Sequence, residues 1–87
     1  MLIVFDVVVA RGQDAEALLS GEVLRETGAQ VLTLEQARAR GLTAALPDPG
    51  GHEIRVVAVP QREMRFVQKR LEANEAVLSF TSHEVAG

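Results

Sequence analysis

The sequence predicts an α+β domain with a four-stranded antiparallel sheet and two helices on one face of that sheet. Two halves of the chain each follow the order strand, helix, strand, and a long loop separates them. The most aliphatic segments open the two halves, as central strands would, whereas the last segment is polar, as an edge strand would be. Cysteine is absent, so an apolar core without disulfides must hold the 87 residues together as one domain, residues 1–87.

The first half begins with residues 2–10, LIVFDVVVA, the most hydrophobic segment of the chain, which indicates a central strand. Asp14 is expected to cap the helix that follows, because apolar residues after it recur at helical spacing. The stripe consists of Ala15, Leu18, Leu19, Val23 and Leu24. Gly21 within it indicates close packing or a break, and Gly28 is expected to end the helix. Residues 30–34 give the second strand.

A long irregular loop is predicted at about residues 38–52. A short helix of one or two turns is expected over residues 35–41, with Gly41 as its stop. The run PDPGG at residues 47–51 then supplies the residue types that favour turns. A loop of this length in a small domain is often functional, so contacts with other molecules are expected here first.

The second half begins with residues 54–59, IRVVAV, whose β-branched content indicates a strand. Pro60 closes this strand, because proline cannot donate to a sheet ladder but fits the first turn of a helix. Residues 61–73 predict that helix, since apolar side chains recur at helical spacing with charges between them. Residues 76–85 return to strand composition and complete the second strand, helix, strand unit.

These elements in this order form the split βαβ, or ferredoxin-like, pattern. Right-handed crossovers then give the strand order 4-1-3-2, with the first and third strands in the centre. Both helices lie on one face of the sheet, and nothing in the pattern covers the other face. The predicted fold is therefore a ferredoxin-like βαββαβ domain with one open face.

The open face is predicted to form the interface of a homo-oligomer, because an apolar patch as large as a whole sheet face is seldom exposed to water. The residues expected in this interface are Val4, Val8, Val57, Val77 and Thr81. Two charged residues, Asp6 and Arg55, are expected near each other on neighbouring strands of the same face. They predict an ion pair inside the interface or, alternatively, a pair that orients a polar ligand between two sheets.

Bulk composition narrows the classes of partner. The net charge is −3, which disfavours nucleic acid as a partner. No apolar run approaches the roughly 20 residues that a membrane span requires, and the N-terminus lacks the basic region of a signal peptide. A cytoplasmic location without membrane contact is therefore expected. Arginine far outnumbers lysine, and alanine and valine are abundant, which indicates a GC-rich bacterial genome.

No residue pattern nominates a catalytic, metal or cofactor site, so none is predicted. His52 and His83 are too few and too far apart for a metal site, and His83 is expected at the surface or in an interface. No serine lies in a nucleophile elbow. One face of the second long helix is basic, which predicts a solvated surface or a site for an anion or an acidic partner. Its residues are Arg62, Arg65 and Lys69.

The stretch VVVARGQDAEALLSGEVLRETGAQVLTLEQA resembles the first half of an ACT domain, in which a strand leads through a turn with glycine and aspartate into a helix. In that family the turn contacts amino-acid ligands. The resemblance implies a ligand site at Arg11, Gly12, Gln13 and Asp14. Length and layout are also similar to those of the nitrogen-regulatory PII-like proteins, whose long loop between the second and third strands responds to nucleotide, metabolite or metal. Residues 38–52 would be its counterpart.

Three functions are expected, in descending order. The first is a regulatory or sensor module that is not an enzyme and binds a small metabolite or anion at a subunit interface. The second is an assembly or adaptor protein that docks on another protein. The third is a small enzyme of the dimeric α+β-barrel type, with its site between two sheets around Asp6, Arg55 and Thr81.

Overall fold

The computed structural model describes residues 2–12, 14–47 and 49–85. Its strands are β1 (Leu2–Val9), β2 (Gln30–Thr33), β3 (Glu53–Pro60) and β4 (Val77–Val85). They form one four-stranded antiparallel sheet in the order β2-β3-β1-β4. The predicted α+β class, the antiparallel sheet and the predicted order 4-1-3-2 are therefore confirmed, with β1 and β3 in the centre.

The helices are α1 (Ala15–Leu18), which runs on as a π-helical segment (Leu19–Val23), α2 (Leu34–Ala39) and α3 (Met64–Ala73), which follows a 3-10 turn (Gln61–Glu63). Asp14 caps α1 as expected, because its Oδ1 accepts a hydrogen bond from the backbone N–H of Ala17 at 3.2 Å. Gly21 marks a break and not close packing: it lies in the π-helical segment, and a Cβ there would meet nothing within 4 Å.

α1 and its π-helical continuation, together called the first helical unit, end earlier than the sequence predicts. Its C-cap is Leu24, and the left-handed residue that follows is Glu26, with φ 65°. Gly28 is not the helix stop. Its backbone N–H instead donates to the Glu63 carboxylate at 3.1 and 3.3 Å, which ties the turn before β2 to the start of α3. A side chain from the other helix therefore fixes this turn, and a local glycine rule could not have shown that.

One face of the sheet, the helix face, carries the main core. The first helical unit and α3 both pack on it, which confirms the prediction that two helices share one face. The buried strand residues of this core are Ile3, Phe5, Val7, Val9, Val57 and Val59. Arg70 of α3 joins the two helices, because its Nη1 donates to the carbonyl oxygens of Glu22, Val23 and Arg25 at 3.3, 3.2 and 2.7 Å. The carbonyls of Glu22 and Val23 are at the end of the first helical unit and would otherwise have no helical partner, and that of Arg25 follows its C-cap.

The opposite face is not open. Residues 34–46, here called the cover segment, consist of α2 and the extended residues after it, and they lie across this face. α2 begins at Thr33, whose hydroxyl accepts from the Gln36 backbone N–H while the Gln36 side chain accepts from the Thr33 backbone N–H, both at 3.1 Å. Gly41, with φ 70°, ends the helical part, as expected. Apolar residues on both sides of the contact form a second core cluster: Val4, Leu32, Ala37, Leu42 and Val56.

The face assignment of β3 differs from the prediction. Arg55 and Val57 pair with the β1 residues that point to the helices, so both lie on the helix face. Asp6 pairs with Val56, on the opposite face. The expected proximity of Asp6 and Arg55 is therefore wrong. β3 is apolar on both faces, so its sequence lacks the alternation that would show which side chains point to which face.

A bulge near the start of β4 changes the predicted face of Val77. Val8 pairs with Ser79 but Val9 pairs with Val77, so Leu78 has no partner on β1. Val77 shares the helix face with Val9 and packs on its core, while Leu78 is 51% exposed. The expectation that Val77 lies on the open face is wrong, because a bulge inserts one residue and reverses the alternation beyond it.

Candidate functional site

The candidate site is the cluster of polar side chains where the cover segment meets the sheet. Asp6 lies in the middle of β1, in a row with Val56 on one side and Thr81 on the other. Its carboxylate points to the covered face, and its side chain is 20% exposed. A carboxylate in a strand that is otherwise apolar requires polar partners, since burial without them is costly. The Thr43 hydroxyl meets that requirement, and the His83 ring lies nearby.

Thr43 of the cover segment is the first partner of Asp6. Its hydroxyl Oγ1 donates to Asp6 Oδ1 at 2.9 Å and accepts from the backbone N–H of Ala45 at 3.1 Å. The Ala45 carbonyl in turn accepts from Arg38 Nε at 2.8 Å. These bonds fold the extended part of the cover segment back on α2 and attach it to β1. A hydrogen bond to a charged group contributes about 1.5–3 kcal/mol, more than one between neutral groups.

His83 of β4 is the other polar side chain of the cluster, and it contacts the cover segment directly. Its Nε2 lies 2.7 Å from the carbonyl oxygen of Leu42, and because a carbonyl only accepts, Nε2 carries a proton. Nδ1 of the same ring lies 3.9 Å from Asp6 Oδ2, with the His83 side chain 39% exposed. The cover segment therefore reaches from β2, where α2 begins, to the far edge strand β4. Asp6 and His83 fasten it at that far end.

This arrangement suits attachment better than catalysis. The Thr43 hydroxyl donates to the Asp6 carboxylate and not to the imidazole, so the ring does not stand as a base beside a nucleophile. The imidazole proton on Nε2 is directed at a backbone carbonyl. Within the described residues, no group of three or more His, Cys, Asp or Glu could hold a metal ion. The cluster's evident chemistry is a set of hydrogen bonds that hold one segment on the sheet.

A second contact joins the predicted ligand turn after β1 to the predicted functional loop before β3. The turn after β1 contains Arg11 and Gly12, whose φ is 88°, and the residues before β3 contain Gly51, whose φ is 79°. The Arg11 guanidinium lies directly against Gly51, so that a Cβ at this glycine would collide with it. Glycine is favoured at position 51 by its backbone conformation, and a side chain there would displace the Arg11 guanidinium. The predicted ligand turn and the predicted functional loop are in contact.

The other expected ligand residues are placed as follows. Asp14 caps α1 and is exposed. Gln13 lies outside the described residues. Arg55 pairs with Glu53 on the helix face, Nη2 to Oε2 at 3.0 Å, and its Nε is buried without a partner among the described residues. Asp6 and Arg11 are therefore the expected site residues that contact the segment between β2 and β3.

The expected interface residues do not form one surface. Val57 and Val77 belong to the helix face, and Val4 is buried beneath the cover segment. Val8 is half-buried, and Thr81 is exposed on the side of the sheet that Asp6 faces. The predicted interface, in which two sheets stack over Val4, is therefore wrong. The chain's own cover segment fills that space. Only Thr81, on the edge strand, lies exposed.

The residues that sequence reasoning missed are Leu42, Thr43 and His83. The signal that could have found them is the apolar run of β1 and β3, which lacks the alternation of a sheet with one wet face. Such a run indicates that both faces are covered. The T-x-x-Q sequence from Thr33 to Gln36 also marks the start of a helix at this point. Together they predict a segment that starts at the end of β2 and covers the second face.

A surface groove lies elsewhere, between the ends of the two helices on the helix face. It measures about 420 Å³ and is lined by Glu22, Arg25, Arg70 and Asn74 among others. Arg70 Nη1 is already bonded to three carbonyl oxygens there, and Asn74 Nδ2 donates to the Glu22 carboxylate at 3.2 Å. These side chains bind the two helices to each other, so the groove lies along the contact between the helices.

Comparisons with protein-family models, with curated proteins and with solved structures found no match. No helix within the described residues is long and apolar enough to cross a membrane. The proposals below therefore depend on the geometry of this chain.

Proposed function

We propose that this chain is a small cytoplasmic regulatory or sensor module of the ferredoxin-like class, which binds a small anionic metabolite and acts as a homo-oligomer. In this proposal the anion binds at the β1–α1 turn, and the segment between β2 and β3 transmits the binding event. The resemblance of residues 7–37 to an ACT domain suggests the same turn. No catalytic step is part of the proposal.

The contact between Arg11 and Gly51 is the observation that supports this proposal. Arg11 is exposed, and among the described residues no carboxylate lies within ion-pair distance of it. A guanidinium offers five donors in a fixed fork that matches carboxylate and phosphate groups. An anion at Arg11 would contact the turn after β1 and, through Gly51, the loop that leads from the cover segment to β3. The site would therefore be coupled to a movable part of the fold.

The attachment of the cover segment supports a response to binding. Its apolar contact with the sheet is small, and Leu46 at its end is 76% exposed. Two hydrogen bonds add to it: the Thr43 hydroxyl donates to the Asp6 carboxylate, and the His83 ring donates to the Leu42 carbonyl. Segments with few buried apolar contacts open at a lower free energy than the core. A ligand with different affinities for the attached and released states would shift their populations.

An adaptor function is the second proposal, and the exposed face of α3 favours it. Arg62, Arg65 and Lys69 are exposed, and Phe66 beside them is 46% exposed with Arg70 stacked 4.0 Å from its ring centroid. A basic helix face with an aromatic side chain suits an acidic partner protein. The third expectation, an enzyme site shared by Asp6 and Arg55, loses its geometric basis because these residues lie on opposite faces.

The test is a thermal-shift titration with inorganic phosphate, amino acids, adenine nucleotides and phosphate-bearing metabolites. A ligand at 100 times its dissociation constant stabilises the fold by about 2.7 kcal/mol. Arg11→Gln should abolish the shift, whereas Arg62→Gln, which removes the same charge from the 3-10 turn before α3, should keep it. If no compound shifts Tm, or if Arg62→Gln and Arg11→Gln weaken the shift equally, the proposed anion site is wrong. A stoichiometric partner protein lost only on Arg62→Gln would then favour the adaptor.

A further inference from the structure

The two edges of the sheet differ in length and protection. β2, at one edge, has 4 residues and leads at once into α2, whereas β4, at the other edge, has 9 residues. In the described part of the chain, β4 has β1 on one side and no strand on the other. A long edge strand presents a row of backbone N–H and C=O groups to which another strand can pair.

β4 lacks the features that normally block such pairing. Its sequence, VLSFTSHEV, contains no lysine and no proline, and Glu84 is its one carboxylate. The bulge at Leu78 lies near the start of the strand and leaves the regular register with β1 intact from Ser79 to Val85. Proteins that stay monomeric usually protect an edge of this length with charges, proline or a bulge in its middle.

The cover segment removes the alternative route to self-association. A second copy stacked on the sheet would need the face around Val4 and Val56, and both are buried beneath Leu42 and its neighbours. The helix face is likewise filled by α1 and α3. The outer edge of β4 is the long sheet surface that the described chain leaves without a strand.

We propose that β4 pairs antiparallel with β4 of a second copy of this chain, around a two-fold axis at Thr81. The two sheets then form one continuous sheet across the axis. Full overlap of the strands places Thr81 opposite Thr81 of the second copy, Ser79 opposite His83, and Leu78 opposite Glu84. No two like charges face each other in this register, and Thr81, at its centre, is exposed and uncharged.

This dimer deepens the self-association in the proposed function and gives the candidate site its symmetry. His83, which holds the cover segment through the Leu42 carbonyl, would lie beside the dimer axis. The two cover segments would then be attached on either side of that axis. The inference does not depend on Arg11, so Arg11→Gln should dimerise normally even if it binds no anion, and the two proposals can fail separately.

Charged substitutions of Thr81 are the first test. The mass in solution of the wild-type chain, measured by sedimentation over a range of concentrations, should rise from monomer to dimer. Thr81→Lys and Thr81→Glu each place like charges opposite each other and should raise the dissociation constant about 5-fold. An equimolar mixture of these two variants should restore dimers. Gln30→Lys, on the exposed edge of β2, is the matched control and should dimerise like the wild type.

A cysteine at position 81 tests the axis itself. The chain has no cysteine, so Thr81→Cys introduces one thiol per copy. Facing residues of antiparallel strands have Cα atoms about 4.5–5.5 Å apart, within the range that a disulfide spans. Mild oxidation should convert Thr81→Cys to a covalent dimer, and Gln30→Cys should stay monomeric. A wild-type monomer at millimolar concentration, a mixture of charge variants that does not associate, or equal cross-linking of the two cysteine variants would overturn the proposal.

Discussion

The two faces of the sheet are covered in different ways. The helix face bears a large apolar cluster in which α1, α3 and the central strands bury whole side chains, with Phe5, Leu19 and Leu71 the largest of them. The face opposite bears a smaller cluster, and polar side chains complete its attachment. Apolar burial contributes roughly in proportion to its area. The helix face should therefore determine the global stability, and the cover segment should be able to open by itself.

This difference also explains why a carboxylate occurs in the middle of β1. On the helix face the central residues of β1 are buried in the apolar cluster. On the covered face Asp6 finds the Thr43 hydroxyl, and His83 lies nearby. The two faces thus differ in what holds them: apolar burial dominates the helix face, and the covered face holds a segment that we expect to open by itself.

The largest effect is expected from Leu71→Ala on the helix face. Leu71 is 1% exposed, and its truncation leaves a cavity in the main core. The free energy of unfolding should fall by about 3 kcal/mol, which lowers Tm by about 15 °C for a domain of this size. Chemical denaturation followed by far-UV circular dichroism measures this loss. A loss no larger than that of Leu42→Ala would contradict the stated difference between the two faces.

Leu42→Ala makes the same chemical change on the covered face. Leu42 is 9% exposed, so part of its side chain already touches solvent and the loss should be smaller, about 2 kcal/mol. Because Leu42 also positions the carbonyl that His83 contacts, the amides of residues 40–45 should exchange faster with deuterium. Amides in β1 should change only by the global loss. Uniform acceleration across the whole chain would show that the cover segment is not a separate unit.

Thr43→Val should have the smallest of these effects. The change keeps the shape of the side chain but removes the hydroxyl that donates to Asp6, at a cost of about 1.5 kcal/mol, the low end for a hydrogen bond to a charged group. Thr43→Ser keeps the hydroxyl and serves as the control. The expected signature is faster exchange at Ala45, whose amide donates to Thr43, together with a fall in Tm of about 7 °C. If Thr43→Ser and Thr43→Val behave alike, the hydroxyl does not attach the segment.

Local pattern was sufficient to predict the elements of the fold. Strand composition predicted β1, β3 and β4 to within two residues, and helical spacing predicted the helix that ends at Ala73. The strand order followed from the handedness of crossovers, which holds for nearly all such connections. Asp14 and Gly41 were assigned correctly as helix cap and helix stop, because each acts on residues next to it. These predictions depend on interactions close in sequence.

Two features could not be predicted in the same way: the face that each β3 side chain occupies, and the covering of the second face of the sheet. Which face Arg55 occupies depends on the register between β3 and β1, which connect through residues far apart in sequence. The bulge at Leu78 is likewise visible only once β4 is paired. The site at Asp6 was half predicted: its carboxylate was singled out, but Thr43 and His83 reach it from segments 37 and 77 positions away.

Native-state hydrogen exchange of the wild-type chain tests the central claim most directly. The amides of Gly41 and Leu42 donate to the carbonyls of Arg38 and Ala37 at 3.0 and 2.9 Å, so their protection reports on the attached cover segment. Their opening free energy should lie at least about 2 kcal/mol below that of buried β1 amides such as Val7. Equal opening free energies at Leu42 and Val7 would mean that the cover segment unfolds only with the whole domain, and the account would be wrong.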